Sequence, residues 1–258
     1  MSRSTTRKPA EKPTIKQATK SAKKISKSAK TTSAKPTRSV TARPHANPTA
    51  RVSEIFARFA AANPEPKGEL EHVNPYTLLV AVVLSAQATD AGVNKATRAL
   101  FQRADTPLKM LALGEDAVRE HVKTIGLYRN KAKNVILLSQ QLIDRHRGGV
   151  PPDRDALVAL PGVGRKTANV VLNMAFGQKT MAVDTHVFRV AHRLDLSHGK
   201  TPEAVEDDLM RIVPDQYLYH AHHWLILHGR YTCLARKPRC GLCVVENLCT
   251  SEAKVAGD

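Results

Sequence analysis

The chain has 258 residues, 42% of them hydrophobic but only 4% aromatic, and a formal net charge of +17. That length allows one large or two modest domains with a real core, and a core built mainly from Ala, Val and Leu suits close-packed helices better than a β-sandwich. The positive excess points to a polyanion such as nucleic acid. No apolar run is long enough to span a membrane, and none near the start makes a secretory signal.

The first element in chain order is a tail. Residues 1–50 hold 13 basic side chains against one acid, Glu11, a net of +12 that leaves +5 for the rest. Residues 1–45 are Lys, Ser, Thr, Ala and Pro with almost no large apolar side chains, so disorder is expected. A loose polycation of this kind raises affinity for DNA without sequence preference. Lys8, Lys12, Lys16, Lys20 and Lys24 would form one stripe if the segment became helical on DNA. Its basic, acid-poor composition is mildly like an organelle transit peptide, but Pro9, Glu11 and Pro13 stand against that.

From Val52 onward the pattern is helical. Val52, Ile55, Phe56 and Phe59 fall on one face, and Asn63 with Pro64 ends that helix. Pro75 to Thr89 predicts a second, nearly all-apolar helix. Further helices are expected over about 91–103, 107–112, 115–123, 129–146, 153–160, 164–176, 184–194, 202–212 and 215–229, separated by Pro, Gly or a polar cap residue. No alternating strand pattern competes, so the fold is expected to be all-α, with no exact internal repeat.

Between two of these helices lies Leu160-Pro-Gly-Val-Gly-Arg-Lys166. Gly162 and Gly164 bracket Val163 and let backbone N–H groups point outward together at a helix start, a seat for a DNA phosphate. An ordinary tight turn would use the same residues. Lys166 sits in the first helical turn, where the helix dipole disfavours a protonated amine, and partial burial would push its pKa lower. A neutral amine can form a Schiff base; a charged one can hold phosphate. On the hairpin alone both readings stand. Eighteen residues on, Asp184 opens a helix as an N-cap. A cap carboxylate at a cleft mouth can also stabilise the positive charge that grows on a sugar as its glycosidic bond breaks.

All four cysteines lie near the end, Cys233, Cys240, Cys243 and Cys249, spaced C-x6-C-x2-C-x5-C. They read as one four-thiolate site, for zinc or an iron–sulfur cluster alike. Arg236, Lys237 and Arg239 lie between the first two cysteines, and a loop locked by metal would offer those cations to phosphate. His220, His222, His223 and His228 surround the single Trp224 and are expected to pack rather than bind metal. His186, two residues after Asp184, is expected to orient backbone or phosphate.

Together the hairpin motif, Val183-Asp-Thr-His186 and the cysteine spacing closely resemble the endonuclease III family of helix-hairpin-helix, iron–sulfur DNA glycosylases. Leu84-Ser-Ala-Gln-Ala-Thr-Asp90 and Thr124-Ile-Gly-Leu-Tyr128 look like that family too, and the resemblance covers about residues 50–250. It implies a two-lobed all-α enzyme, with a helical-barrel domain at 68–178 and a cluster domain formed by 46–67 and 179–258. Lys166 would match the Schiff-base lysine, Asp184 the essential aspartate, and the four cysteines the ligands of a 4Fe-4S cluster. Gln87 and Leu127 would be wedges filling the gap left by a flipped nucleotide, with Gly162, Val163, Gly164, Arg165 and His186 on the DNA. The implied activity is that of a bifunctional DNA glycosylase and AP lyase of base excision repair. It would remove oxidised pyrimidines from damaged double-stranded DNA and cut the strand by β-elimination, as a cytoplasmic, nucleoid-associated bacterial monomer with no membrane and no obligatory protein partner. The adenine-mismatch glycosylase of the same fold lacks the lysine and carries a further domain after the cluster, whereas Lys166 is present here and the chain ends nine residues after Cys249. A non-catalytic helix-hairpin-helix module would not need Lys166 and Asp184 together.

Overall fold

The computed structural model describes residues 48–254. These form eleven α-helices and two short 3₁₀ turns, with no strand among the described residues, as the all-α expectation requires. The basic tail of residues 1–45, with its lysine stripe, lies outside the described residues.

The helices are α1 (Pro48–Ala62), α2 (Pro75–Leu84), α3 (Asp90–Arg103), α4 (Pro107–Leu113), α5 (Glu115–Val122), α6 (Tyr128–His146), α7 (Arg154–Val158), α8 (Arg165–Phe176), α9 (Thr185–Arg193), α10 (Pro202–Ile212) and α11 (Asp215–Tyr231). Their starts follow side-chain chemistry. Thr106 and Thr201 accept the amides of Lys109 and Ala204 and hand over to prolines that need no partner. Asn74 does the same for α2, its side chain taking the Thr77 amide while the Thr77 hydroxyl takes the Asn74 amide.

α2 ends earlier than its apolar run. The Ser85 hydroxyl donates back to the Val82 carbonyl at 2.9 Å, and Gln87 turns into the left-handed region at φ 55°. Residues 85–89 therefore form a turn, which delivers Gln87 to the surface.

The buried apolar side chains form two clusters. One gathers α2 through α8 and has α2 at its centre, with nine of that helix's ten residues buried. The other gathers α1, α9, α10, α11 and the cysteine segment. The non-helical connector before α9 runs between them: Ala182 faces the first cluster, and its neighbours Met181 and Val183 face the second. That alternation fixes the next residue, Asp184, where the two meet. Among the described residues no helix is long and apolar enough to cross a membrane.

Candidate active site

The turn between α7 and α8 closes through the Val163 amide, which donates to the Leu160 carbonyl at 3.1 Å. Gly162 has φ 79°, and a Cβ there would meet the Asn134 side-chain nitrogen at 2.8 Å. Gly164 caps α8 with φ −96°, has no side chain to satisfy the first amides, and faces open space. Those amides have no side-chain cap. Val163 has a buried side chain, and its N–H is used within the turn.

Arg165, expected on the DNA, has its guanidinium engaged elsewhere. Its Nε and Nη2 donate to both carboxylate oxygens of Glu206 at 2.8 and 3.0 Å. Lys166, one residue on, lines a cleft of about 630 Å³ together with Asp184, Gln87 and His186. The partial burial expected of Lys166 is not found: it is exposed, because the cleft opens to solvent. Asp184 is the α9 cap, its Oδ1 accepting the amides of His186 and Val187 at 2.8 Å each. Neither amide uses Oδ2.

Gln87 and Leu127 are both exposed and both left-handed, at φ 55° and 58°. Such backbone is costly for side chains of this size and concentrates at functional positions. The turn before Leu127 lies against the Gln87 backbone, whose carbonyl is 3.8 Å from where a Cβ on Gly126 would sit. The two expected wedges are thus adjacent.

The floor of the cleft includes His222 and His223. Burial drives the His222 imidazole well below its ordinary pKa, with the charges of His223 and Lys166 adding to the effect. Burial likewise drives His223 down to about 4. Both rings are neutral at pH 7, and both Nδ1 atoms are buried without a partner. At the mouth, Arg230 of α11 pairs with Glu69 and Asp90.

The four cysteines line one cavity with Pro238, His228 and Leu194. Among the described residues no three His, Cys, Asp or Glu side chains converge tightly enough for one metal ion. Four thiols around one cavity are a donor set for an iron–sulfur cluster and for a zinc ion alike. Burial pushes the Cys243 thiol up to about 11, a cost that bound iron would reverse. Three arginines brace the loop. Arg193 donates to Cys233 Sγ at 3.4 Å and to the Leu234 carbonyl at 2.6 Å. Arg189 reaches the carbonyls of Gly229 and Cys233 and lies 3.3 Å from the His186 ring nitrogen. Arg51 holds the carbonyls of Leu194 and Leu248. Only their placement on otherwise apolar helix faces could have flagged them in the sequence. Arg236, Lys237 and Arg239 are exposed on this loop.

Residues 80–215 match the HhH-GPD superfamily of base excision DNA repair proteins, and residues 233–249 match the iron–sulfur binding domain of endonuclease III. Fold, hairpin and cysteine site together therefore define a helix-hairpin-helix base excision DNA repair protein. The similarity is closer still to individual proteins. Endonuclease III of Haemophilus influenzae is 55% identical over 209 residues, 81% of this chain and 99% of that one. Endonuclease III of Escherichia coli K12 is 56% identical over 202 residues, 78% and 96% of the two chains. A solved structure of a trapped endonuclease III–DNA covalent intermediate superimposes with a TM-score of 0.74 at 45% identity, over 78% of this chain and 95% of that one. A thermostable thymine-DNA glycosylase, 24% identical with a TM-score of 0.66, shares the fold over 78% of this chain and 93% of that one. The chain belongs to the endonuclease III family.

Proposed function

We propose that this protein is a bifunctional DNA glycosylase and AP lyase that removes oxidised pyrimidines from duplex DNA through a covalent bond to Lys166. The observation that carries the reading is one cleft shared by Lys166, Asp184 and Gln87, delivered by the starts of α8 and α9 and by the turn after α2. The two apolar clusters are the cores of two lobes, a barrel lobe and a cluster lobe, and the cleft is the seam between them.

The damaged nucleotide leaves the stack at a cost of a few kcal/mol, a cost that is smaller for bases that stack and pair poorly. Gln87 and Leu127 fill the gap it leaves. The open amides at Gly164, with the hairpin backbone, hold a phosphate of the same strand. Once DNA covers the cleft and excludes water, Lys166 in its neutral form attacks C1′ of the sugar. Asp184 Oδ2 faces the positive charge that develops as the base departs. The C1′–O4′ bond then opens, O4′ taking the proton lost from nitrogen, and the imine that results makes the C2′ proton acidic, so that its loss expels the 3′ phosphate. The cofactor is a 4Fe-4S cluster; Cys233, Cys240, Cys243 and Cys249 hold it, and it locks a loop whose Arg236, Lys237 and Arg239 meet phosphates. On this reading the protein works as a monomer needing no protein partner. The place of action is the nucleoid of a bacterial cytoplasm.

Borohydride reduction tests this. Wild-type protein with a duplex bearing one oxidised pyrimidine should yield a stable covalent adduct, and Lys166→Ala should yield none. An adduct that survives the substitution overturns the assignment.

A further inference from the structure

Glu206 lies on α10 and is 7% exposed, buried beside Val205 and Leu209 of the second core. Its carboxylate receives two guanidinium groups. Arg165 takes both oxygens, at 2.8 and 3.0 Å, and Arg154 reaches Oε1 at 3.4 Å. Arg165 also stands 3.7 Å from Asp207.

The two arginines share an unusual place. Each is the first residue of a helix, Arg154 of α7 and Arg165 of α8, and those helices bracket the glycine hairpin. A cation at a helix start opposes the dipole. Two cations at adjacent helix starts also repel each other, so a buried anion between them decides how the starts sit. Glu206 supplies that anion from the other core. Burying it would be costly unless it were paired, and both partners come from the hairpin's flanks.

We propose that Glu206 is a positioning residue for Lys166: through Arg154 and Arg165 it clamps both ends of the hairpin to α10 and sets the first turn of α8 from which Lys166 projects. Arg165 then serves the clamp and not a phosphate. The inference rests on the assignment of Lys166 as the covalent nucleophile. A shift of about an ångström at the reacting nitrogen is enough to lower a rate roughly 100-fold.

The test uses the full-length, cluster-loaded protein in Glu206→Gln and Arg165→Gln forms, with Lys166→Ala as control. Saturating enzyme on a duplex with a single abasic site gives the single-turnover rate of borohydride-trapped adduct. Titration across salt concentrations gives the dissociation constant and its salt slope. Glu206→Gln should trap the same adduct roughly tenfold or more slowly with its affinity little changed. Arg165→Gln should slow trapping similarly and leave the salt slope as in wild type, whereas a lost phosphate contact lowers the slope by about 0.9. Restoring the carboxylate's partner as Arg165→Lys should recover part of the rate, since the charge returns without the two-pronged geometry. Wild-type trapping rates in both glutamine variants overturn the clamp, as does a shallower slope in Arg165→Gln. If Glu206→Gln loses its cluster or fails to fold, Arg165→Gln decides alone, because that side chain is partly exposed. Absence of any adduct in wild type overturns the Lys166 assignment instead.

Discussion

The two hairpin glycines separate what the fold needs from what the proposed phosphate seat needs. Gly162 has φ 79°, and a methyl group there would sit 2.8 Å from the Asn134 side-chain nitrogen. Left-handed backbone costs alanine about 1–2 kcal/mol. Displacing Asn134 from its rotamer adds about 0.5–1.5 kcal/mol. Gly162→Ala should therefore destabilise by about 2–3 kcal/mol, a fall in Tm of about 4–12 °C for a chain of this size. Gly164, at φ −96° with nothing within 4 Å of a Cβ, has neither penalty. Gly164→Ala trades a slightly poorer cap against a less flexible unfolded chain, leaving stability within about 0.5 kcal/mol of wild type. Its effect should fall on DNA: a methyl group at the phosphate seat removes one ionic contact, and the slope of log affinity against log salt should drop by about 0.9. Thermal unfolding and fluorescence anisotropy over a salt series read the two quantities. A Gly164→Ala protein with wild-type affinity and slope would abolish the phosphate seat, and wild-type Tm for Gly162→Ala would refute the strain argument.

Asp184→Asn keeps a good N-cap, so thermal stability should hold within about 1 kcal/mol, while base release slows by about 100-fold or more; normal turnover on a single-lesion duplex would reduce Asp184 to a cap. Arg51→Ala strands the carbonyls of Leu194 and Leu248 and should cost about 2–4 kcal/mol. The variant should also lose iron faster, seen as decay of visible absorbance on dilution into chelator; wild-type retention would show that the loop does not depend on this brace. The third outcome concerns acid. His223 is neutral when folded, with its pKa lowered from 6.5 to about 4 by burial, so below pH 6.5 the unfolded chain binds the extra proton. The stabilisation is complete above pH 6.5 and is lost as pH falls toward 4, about 3 kcal/mol in all. Urea unfolding at pH 7 and pH 4.5 should show a drop that His223→Gln diminishes; equal drops in both proteins would count against a neutral His223.

Helix starts were legible because their chemistry is local. Asn74-Pro75, Thr106-Pro107 and Thr201-Pro202 each pair an oxygen acceptor with a residue lacking an N–H, and each opens a helix. The end of α2 was not legible, since the apolar run continues while Ser85 bonds backward and Gln87 flips to positive φ. Cys233, Cys240, Cys243 and Cys249 were legible as one site from spacing, and they do share a cavity. Glu206 was invisible: an acid in an amphipathic helix reads as solvent-facing, and its partners lie 41 and 52 residues away in sequence. The pairing of Arg165, expected on the DNA, with Glu206 was equally out of reach of spacing. The expected burial of Lys166 failed because a single chain shows the open cleft, whereas desolvation there depends on what later covers it.

The starts of α8 and α9 show why opposite choices were made a few residues from each other. An acid or hydroxyl at position 164 would cap α8 and stabilise it by about 1 kcal/mol, yet it would also fill the amides with its own oxygen. Leaving Gly164 bare forgoes that stability and keeps a positive, unsatisfied helix end open to an anion. At α9 the logic reverses. A bare glycine at position 184 would draw an anion to the place where a sugar becomes cationic. Asp184 instead satisfies two amides with one oxygen and leaves the other free of them, so the helix end presents net negative charge to the cleft. On the proposed assignments, one helix start holds the strand and the other stabilises the sugar. Exchanging the two caps should therefore preserve both helices while abolishing base release.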